Sequence, residues 1–116
     1  MPDNQTIAFV NTNKSWGGGE KWYLDMAGRL RERGYSVFFI VHRNSVLYPK
    51  VKDSGFPHAA VKLNNYSFLN LLKIRRFAQL FREHRVQSVI MNLPSDVKVA
   101  GPAAKRAGVK RIIYRR

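Results

Sequence analysis

A short apolar strand, a polar turn, three glycines and an amphipathic helix follow one another between Ile7 and Leu30, and this succession constrains the fold more than any other stretch. Ile7-Ala8-Phe9-Val10 is apolar throughout, which suits a strand covered on both faces. Asn11 to Trp16 breaks it with polar turn formers. At Gly17-Gly18-Gly19 the backbone is free to take positive φ and to approach a bound group, while the new helix aims its unpaired N–H groups and positive dipole end into the same gap. The triplet has two readings, a tight strand-to-helix turn or a cradle for phosphate.

The pattern then repeats. Lys21 to Arg33 reads as a helix with Trp22, Met26 and Leu30 at spacing four, Tyr23 and Ala27 beside them, and Lys21, Asp25, Arg29 and Glu32 on the wet side. Gly34 stops it, and Tyr35 to Val41 is too continuously apolar for a surface strand. Ser45 is placed to cap a short helix from Val46 to Asp53, which Gly55 ends, and Ala59 to Leu63 forms a third strand. After a turn at Asn64 to Ser67, Phe68 to His84 is the longest helical pattern, with Leu71, Ile74, Phe77, Ala78 and Phe81 on one face. Val86 to Met91 is a fourth strand. Ser95 or Asp96 caps a helix beginning at Val97, whose small-residue face is Val97, Ala100, Ala103, Ala104 and Ala107, and Gly108 closes it. Arg111 to Tyr114 is a fifth strand.

Five strands alternating with four helices through short connections specify a mainly parallel five-stranded sheet wrapped on both faces, a Rossmann-like three-layer αβα sandwich. With 116 residues, 45% of them apolar, residues 1–116 form a single domain. Ligands of such sheets gather at the carboxyl ends of the strands, here the loops Thr12 to Gly19, His42 to Ser45, Asn64 to Ser67 and Asn92 to Asp96.

Composition narrows the chemistry. There is no cysteine, so disulfides and thiolate chemistry are excluded, and His42, His58 and His84 lie far apart, which argues against a metal site. No signal peptide or membrane-length apolar run is present, so the chain is expected in the cytoplasm. The formal net charge of +14 favours anionic partners: phosphorylated ligands, an acidic membrane surface or nucleic acid. A basic nucleic-acid-binding α/β domain is the alternative from another class, yet no RNA- or DNA-binding motif is found, and the aromatic residues fall mostly at core-facing positions. Neither the G-x-G-x-x-G spacing of dinucleotide-binding folds nor a Gly-Lys-Ser/Thr phosphate loop is present.

Trp16-Gly17-Gly18-Gly19-Glu20, the helix with Leu30, and Arg33-Gly34-Tyr35-Ser36-Val37 together resemble the amino-terminal domain of retaining GT-B glycosyltransferases of family 4. Ala104 to Tyr114 is similar to the same domain's alanine-rich helix and fifth strand. The resemblance implies that the backbone of Gly17, Gly18 and Gly19 meets the diphosphate of a nucleotide-sugar donor. It implies further that the surrounding loops, with Lys14, Trp16, Glu20, His42, Arg43, Asn92 and Ser95, hold a lipid-linked or cell-surface glycan acceptor, as in cell-envelope polysaccharide biosynthesis. Asp96 stands where members place a His or an acidic residue near the reacting sugar, although capping the helix from Val97 explains it equally well. No metal or other cofactor is implied; the nucleotide-sugar is a substrate. A carboxyl-terminal donor domain is absent from these residues, so this half is expected to be inactive alone, with an apolar edge left beside the fifth strand.

His42, Arg43, Lys14 and Arg115 fall on the ligand edge. A satisfied histidine and a solvated arginine are the plain alternatives for His42 and Arg43. In the long helix, Leu69 and Leu72 lie outside the apolar arc beside Lys73, Arg75 and Arg76. This pattern suits either a helix resting on the anionic inner face of the membrane or a core helix with a solvated basic face.

Overall fold

Strand β1 (Thr6–Asn11) is the centre of the molecule, because every neighbouring strand finds its place relative to it. The computed structural model describes residues 6–62 and 71–115. Strands β2 (Ser36–His42), β3 (His58–Val61), β4 (Val86–Met91) and β5 (Arg111–Tyr114) complete one fully parallel sheet in the order β3-β2-β1-β4-β5. The register sets Phe9 opposite both Phe39 and Ile90. The chain leaves β1 toward β2 and leaves β4 toward β5, in opposite directions, so the topological switch lies between β1 and β4.

Alternation along the strands builds two cores. Phe9, Val37, Phe39 and Val41 face helices α1 (Gly18–Glu32) and α2 (Leu47–Asp53). Ala8, Val10, Phe38, Ile40, Val89 and Met91 face α3 (Leu71–Glu83) and α4 (Pro94–Ala107). Both faces of β1 and β2 are thereby covered, and their apolar runs follow from that.

Several local expectations shift. Helix α1 starts at Gly18, three residues before the expected Lys21, and it buries Glu20, Tyr23 and Ala27 while Trp22, Met26 and Leu30 remain half-buried. The stripe has rotated because Phe9 takes both Tyr23 and Trp22 as ring neighbours. Strand β3 is His58–Val61, offset by one residue from the expected start. Helix α4 begins at Pro94, whose missing N–H costs nothing in a first turn, so neither Ser95 nor Asp96 caps it. Leu71, expected on the core face of α3, is 69% exposed, and Leu80 is buried instead. The turn at 64–67, the start of the long helix at Phe68, and Leu69 lie outside the described residues. The C-terminal stop of α4 is as expected: Gly108 adopts φ 76°, a left-handed cap that suits glycine.

Arg85, in the turn between α3 and β4, sits at φ 52° without being glycine. A left-handed residue with a Cβ costs about 1–2 kcal/mol, partly offset by the extra unfolded-state freedom of glycine. Arg85→Gly is therefore expected to raise stability by about 0.5 kcal/mol in urea denaturation; a loss of stability would refute it.

Strand β5 is one of the two sheet edges, and Ile112, Ile113 and Tyr114 are exposed along it. Among the described residues, no helix is long and apolar enough to cross a membrane.

Candidate functional site

The loops after β1 and β4 meet at the switch point, and a buried polar network ties them. The Thr12 amide donates to Asp96 Oδ2 at 3.1 Å, and the Thr12 hydroxyl donates to Oδ1 of the same carboxylate, a contact between residues 84 positions apart. Tyr23 donates its phenolic hydroxyl to Asn92 Oδ1 at 3.3 Å. On the other side of the loop, Glu20 Oε2 accepts from the side-chain amides of Asn11 at 3.0 Å and Asn13 at 3.2 Å. The Asn11 carboxamide oxygen in turn accepts the Asn13 amide at 3.0 Å and fixes the turn that leads to the glycines.

This network decides what two acidic residues do. Glu20, expected to contact an acceptor, is buried here, and its carboxylate takes two amide donors and latches the β1 loop. Asp96 is fully buried with both oxygens engaged by Thr12. Burial raises its pKa from the usual carboxylate range to about 6, against the lowering by the Thr12 hydroxyl and amide. Burial also pushes the Tyr23 phenol upward, with the Asp96 carboxylate adding to the rise, Arg115 opposing it and Glu20 contributing last.

The glycines are arranged differently from the sequence-based expectation. None of Gly17, Gly18 and Gly19 has positive φ; Gly17 is the extended N-cap residue, and Gly18 and Gly19 are the first two residues of α1. Nor does packing demand them. A Cβ on Gly18 would meet nothing within 4 Å, and on Gly17 or Gly19 it would stand 3.4 Å from Glu20 Oε1 or Asn92 Nδ2, an ordinary contact. The first intrahelical bond runs from the Lys21 amide to the Gly17 carbonyl, so the amides of Gly18, Gly19 and Glu20 precede the helical ladder.

The remaining expected residues divide into groups. Asn92 is half-buried beside Gly19, and Ser95 is half-buried in the first turn of α4. Trp16 is exposed and carries the Lys50 ammonium 4.8 Å above its ring, while the Lys14 carbonyl accepts from the Val46 amide at 3.1 Å. Arg115 stacks 4.2 Å over Trp22. His42 is buried, and its Nδ1 accepts the Asn44 amide at 3.0 Å; burial lowers its pKa, and Lys14, Lys62 and Lys73 lower it further. With Nδ1 accepting, the ring proton lies on Nε2. The Ser45 hydroxyl accepts the Tyr48 amide at 3.1 Å and so caps the first turn of α2, as expected.

Arg43 is exposed, and with Lys62, Lys73 and Arg76 it lines a cavity of about 330 Å³ that also touches Leu72 and Phe77. Arg75 and Arg76 are exposed, and Leu72 is 71% exposed. Thr12, Asn11, Tyr23 and Lys62 were missed as site residues. A polar residue directly after a central strand was the only sequence signal for the first two, and nothing local marked the others.

A parallel five-stranded sheet with these two loops at its switch point has the architecture of one Rossmann-like lobe of a GT-B glycosyltransferase. The fold matches that of a glycosyltransferase from Rickettsia africae ESF-5 with TM-score 0.81 over 95% of this chain at 18% identity. It also matches MurG of Acinetobacter baumannii with TM-score 0.74 over 95% at 15% identity, and Anabaena HepE, solved with UDP-glucose, with TM-score 0.71 over 94% at 17% identity. The chain spans 29%, 34% and 28% of those three chains. At such identities the likeness is one of fold, and a fold of this kind carries many chemistries. No protein-family model and no curated protein matches the sequence.

Proposed function

We propose that the chain is the amino-terminal, acceptor-side domain of a retaining glycosyltransferase of family 4, moving a sugar from a nucleotide-sugar to a lipid-linked or cell-surface glycan acceptor. The observation that carries this reading is the glycine run: neither backbone conformation nor packing calls for glycine at Gly18, so the free space lies on the ligand side. In this reading the amides of Gly18 and Gly19 bond the departing diphosphate at the start of α1. Glu20 in the same turn already answers part of the helix dipole, so directional amide bonds do more here than the dipole. Asp96 acts as a positioning residue: fully buried, it holds Thr12 and so sets the loop that presents the glycines. Asn92 and Arg43 remain toward the acceptor. Most donor contacts come from a further lobe, and the chain by itself transfers no sugar. The reading includes attachment to the inner membrane face through exposed Leu72, Arg75 and Arg76.

Titrating UDP-glucose into ¹⁵N-labelled protein is expected to shift the amides of Gly17 to Lys21 and of Asn92 to Asp96. Gly18→Ala should raise stability by up to about 1 kcal/mol through helix propensity while weakening those shifts. Amides that stay unmoved at saturating UDP-glucose, or a Gly18→Ala protein that binds like the unaltered one, would overturn the diphosphate assignment.

A further inference from the structure

We infer, from geometry and charge and independently of the glycosyltransferase reading, that the groove beside α1 and over β4 and β5 docks an amphipathic helix with acidic flanks from a separate protein. Ile7 of β1 and Ile90 of β4 form its floor, Ile113 of β5 closes one side, and Trp22, Met26 and Leu30 of α1 form the other. Helices α1 and α2 pack on this face of the sheet, whereas α3 and α4 both pack on the opposite one. Trp22, Met26 and Leu30 repeat at spacing four, the pattern of a helix side suited to burial, yet all three are half-buried and Ile113 is 45% exposed. The concavity holds about 500 Å³, and a second one of about 170 Å³ beside Arg29 and Arg33 continues it, since both are lined by Met26 and Leu30.

Shape selects a helix. From Trp22 to Leu30 the wall runs roughly 12 Å along the α1 axis, so a helix laid beside it meets each step of the ladder with apolar side chains at i, i+4 and i+7. A strand would pair with the β5 edge and leave the groove open. Charge selects its flanks. Arg111 and Arg115 stand on the β5 side and Arg29 and Arg33 on the α1 side, and no lining residue of either concavity is acidic. Arg115 is held in place by its stacking 4.2 Å over Trp22. Carboxylates on both shoulders of the incoming helix answer these cations, and lysines there are repelled.

The same charges disfavour a second copy, because two chains of net charge +14 would set arginine against arginine across the contact. Local chain order supplies no cover either: a right-handed crossover in the direction from β4 to β5 lays its helix on the opposite face, as α4 shows.

The test titrates an alanine-based peptide of roughly 15 residues, with leucines at i, i+4 and i+7 and glutamates on both shoulders, into ¹⁵N-labelled protein. Saturable shifts are expected at Met26, Leu30, Ile90 and Ile113, together with a gain of helical circular dichroism. The same peptide with lysine shoulders should bind at least about tenfold more weakly. Ile113→Glu should weaken the glutamate peptide about tenfold or more, whereas Val46→Glu, at a similarly exposed position outside the groove, should leave it unchanged. Arg33→Glu with Arg111→Glu, both at exposed positions, should reverse the preference toward lysine shoulders.

Equal affinity for the two peptides, or binding that Ile113→Glu leaves intact, would overturn the assignment. So would three results that give the groove to another occupant: a dimer in sedimentation that Ile113→Glu dissociates, displacement of the peptide by phosphatidylglycerol vesicles, or a longer polypeptide carrying this chain in which the peptide no longer reaches Ile113.

Discussion

Phe9→Ala is expected to lower the unfolding free energy by about 3–5 kcal/mol, a large part of the roughly 5–15 kcal/mol that holds a domain of this size together. Phe9 is fully buried in the central strand, and its ring lies 5.4 Å from Phe39, 5.3 Å from Tyr23 and 6.5 Å from Trp22, centroid to centroid. Removing it takes away transfer free energy and leaves a cavity among three aromatic neighbours. These are held by one strand and one helix and have little freedom to close the gap. In urea the midpoint should fall with an unchanged slope. A loss under about 1 kcal/mol would mean that the core collapses freely around β1, contrary to the packing described.

The second large effect depends on pH. Asp96 has its pKa raised to about 6 in the folded protein against the ordinary 3.8 of an aspartate, so the native state binds the proton more tightly than the unfolded chain. The stability this confers is complete below the unfolded pKa and is lost as pH rises through the folded one. The shift corresponds to about 3 kcal/mol, and for a fully buried carboxylate solvent screening takes little from it. His42 works in the opposite sense, since its lowered pKa makes stability fall as pH drops below its ordinary range. The comparison must therefore be with Asp96→Asn, which keeps His42. Relative to that variant, the unaltered protein should lose up to about 3 kcal/mol between pH 4 and pH 7. A constant difference across the range would refute the assignment.

The same comparison bears on function. At pH 7 the ionised Asp96 is a costly group, yet its carboxylate is what the Thr12 amide and hydroxyl both bond. Asp96→Asn keeps one acceptor and should leave the fold intact. If Asp96 is a positioning residue, the variant should weaken the UDP-glucose-induced shifts at Gly18 and Gly19 while its ¹⁵N spectrum away from the switch-point loops stays that of the unaltered protein. An unchanged UDP-glucose titration would leave Asp96 with a structural part only.

Local physics made the elements readable. Continuous apolar runs marked β1 and β2 because strands covered on both faces have no polar face. Gly34, Gly55 and Gly108 stopped helices as expected, and each has positive φ. At Gly17 to Gly19 the freedom to take positive φ is not used, for there the chain is extended and then helical. Periodicity placed the apolar face of α1, and within that face Tyr23 and Ala27 are the residues fully buried. Trp22, Met26 and Leu30 form a regular ladder, but the pocket offered by Phe9 and Asn92 draws Tyr23 inward.

Taken alone, then, the sequence determined the order of elements and the parallel sheet, because these follow from spacing within a window of a few residues and from the handedness of crossovers. Tertiary structure decided which groups meet. That Asp96 bonds Thr12, that Glu20 turns inward and that four cations from three elements share a cavity all depend on strand order and on distances across many residues. Such contacts leave no periodic trace in the chain, since a side chain finds a distant partner only after the sheet has set them side by side.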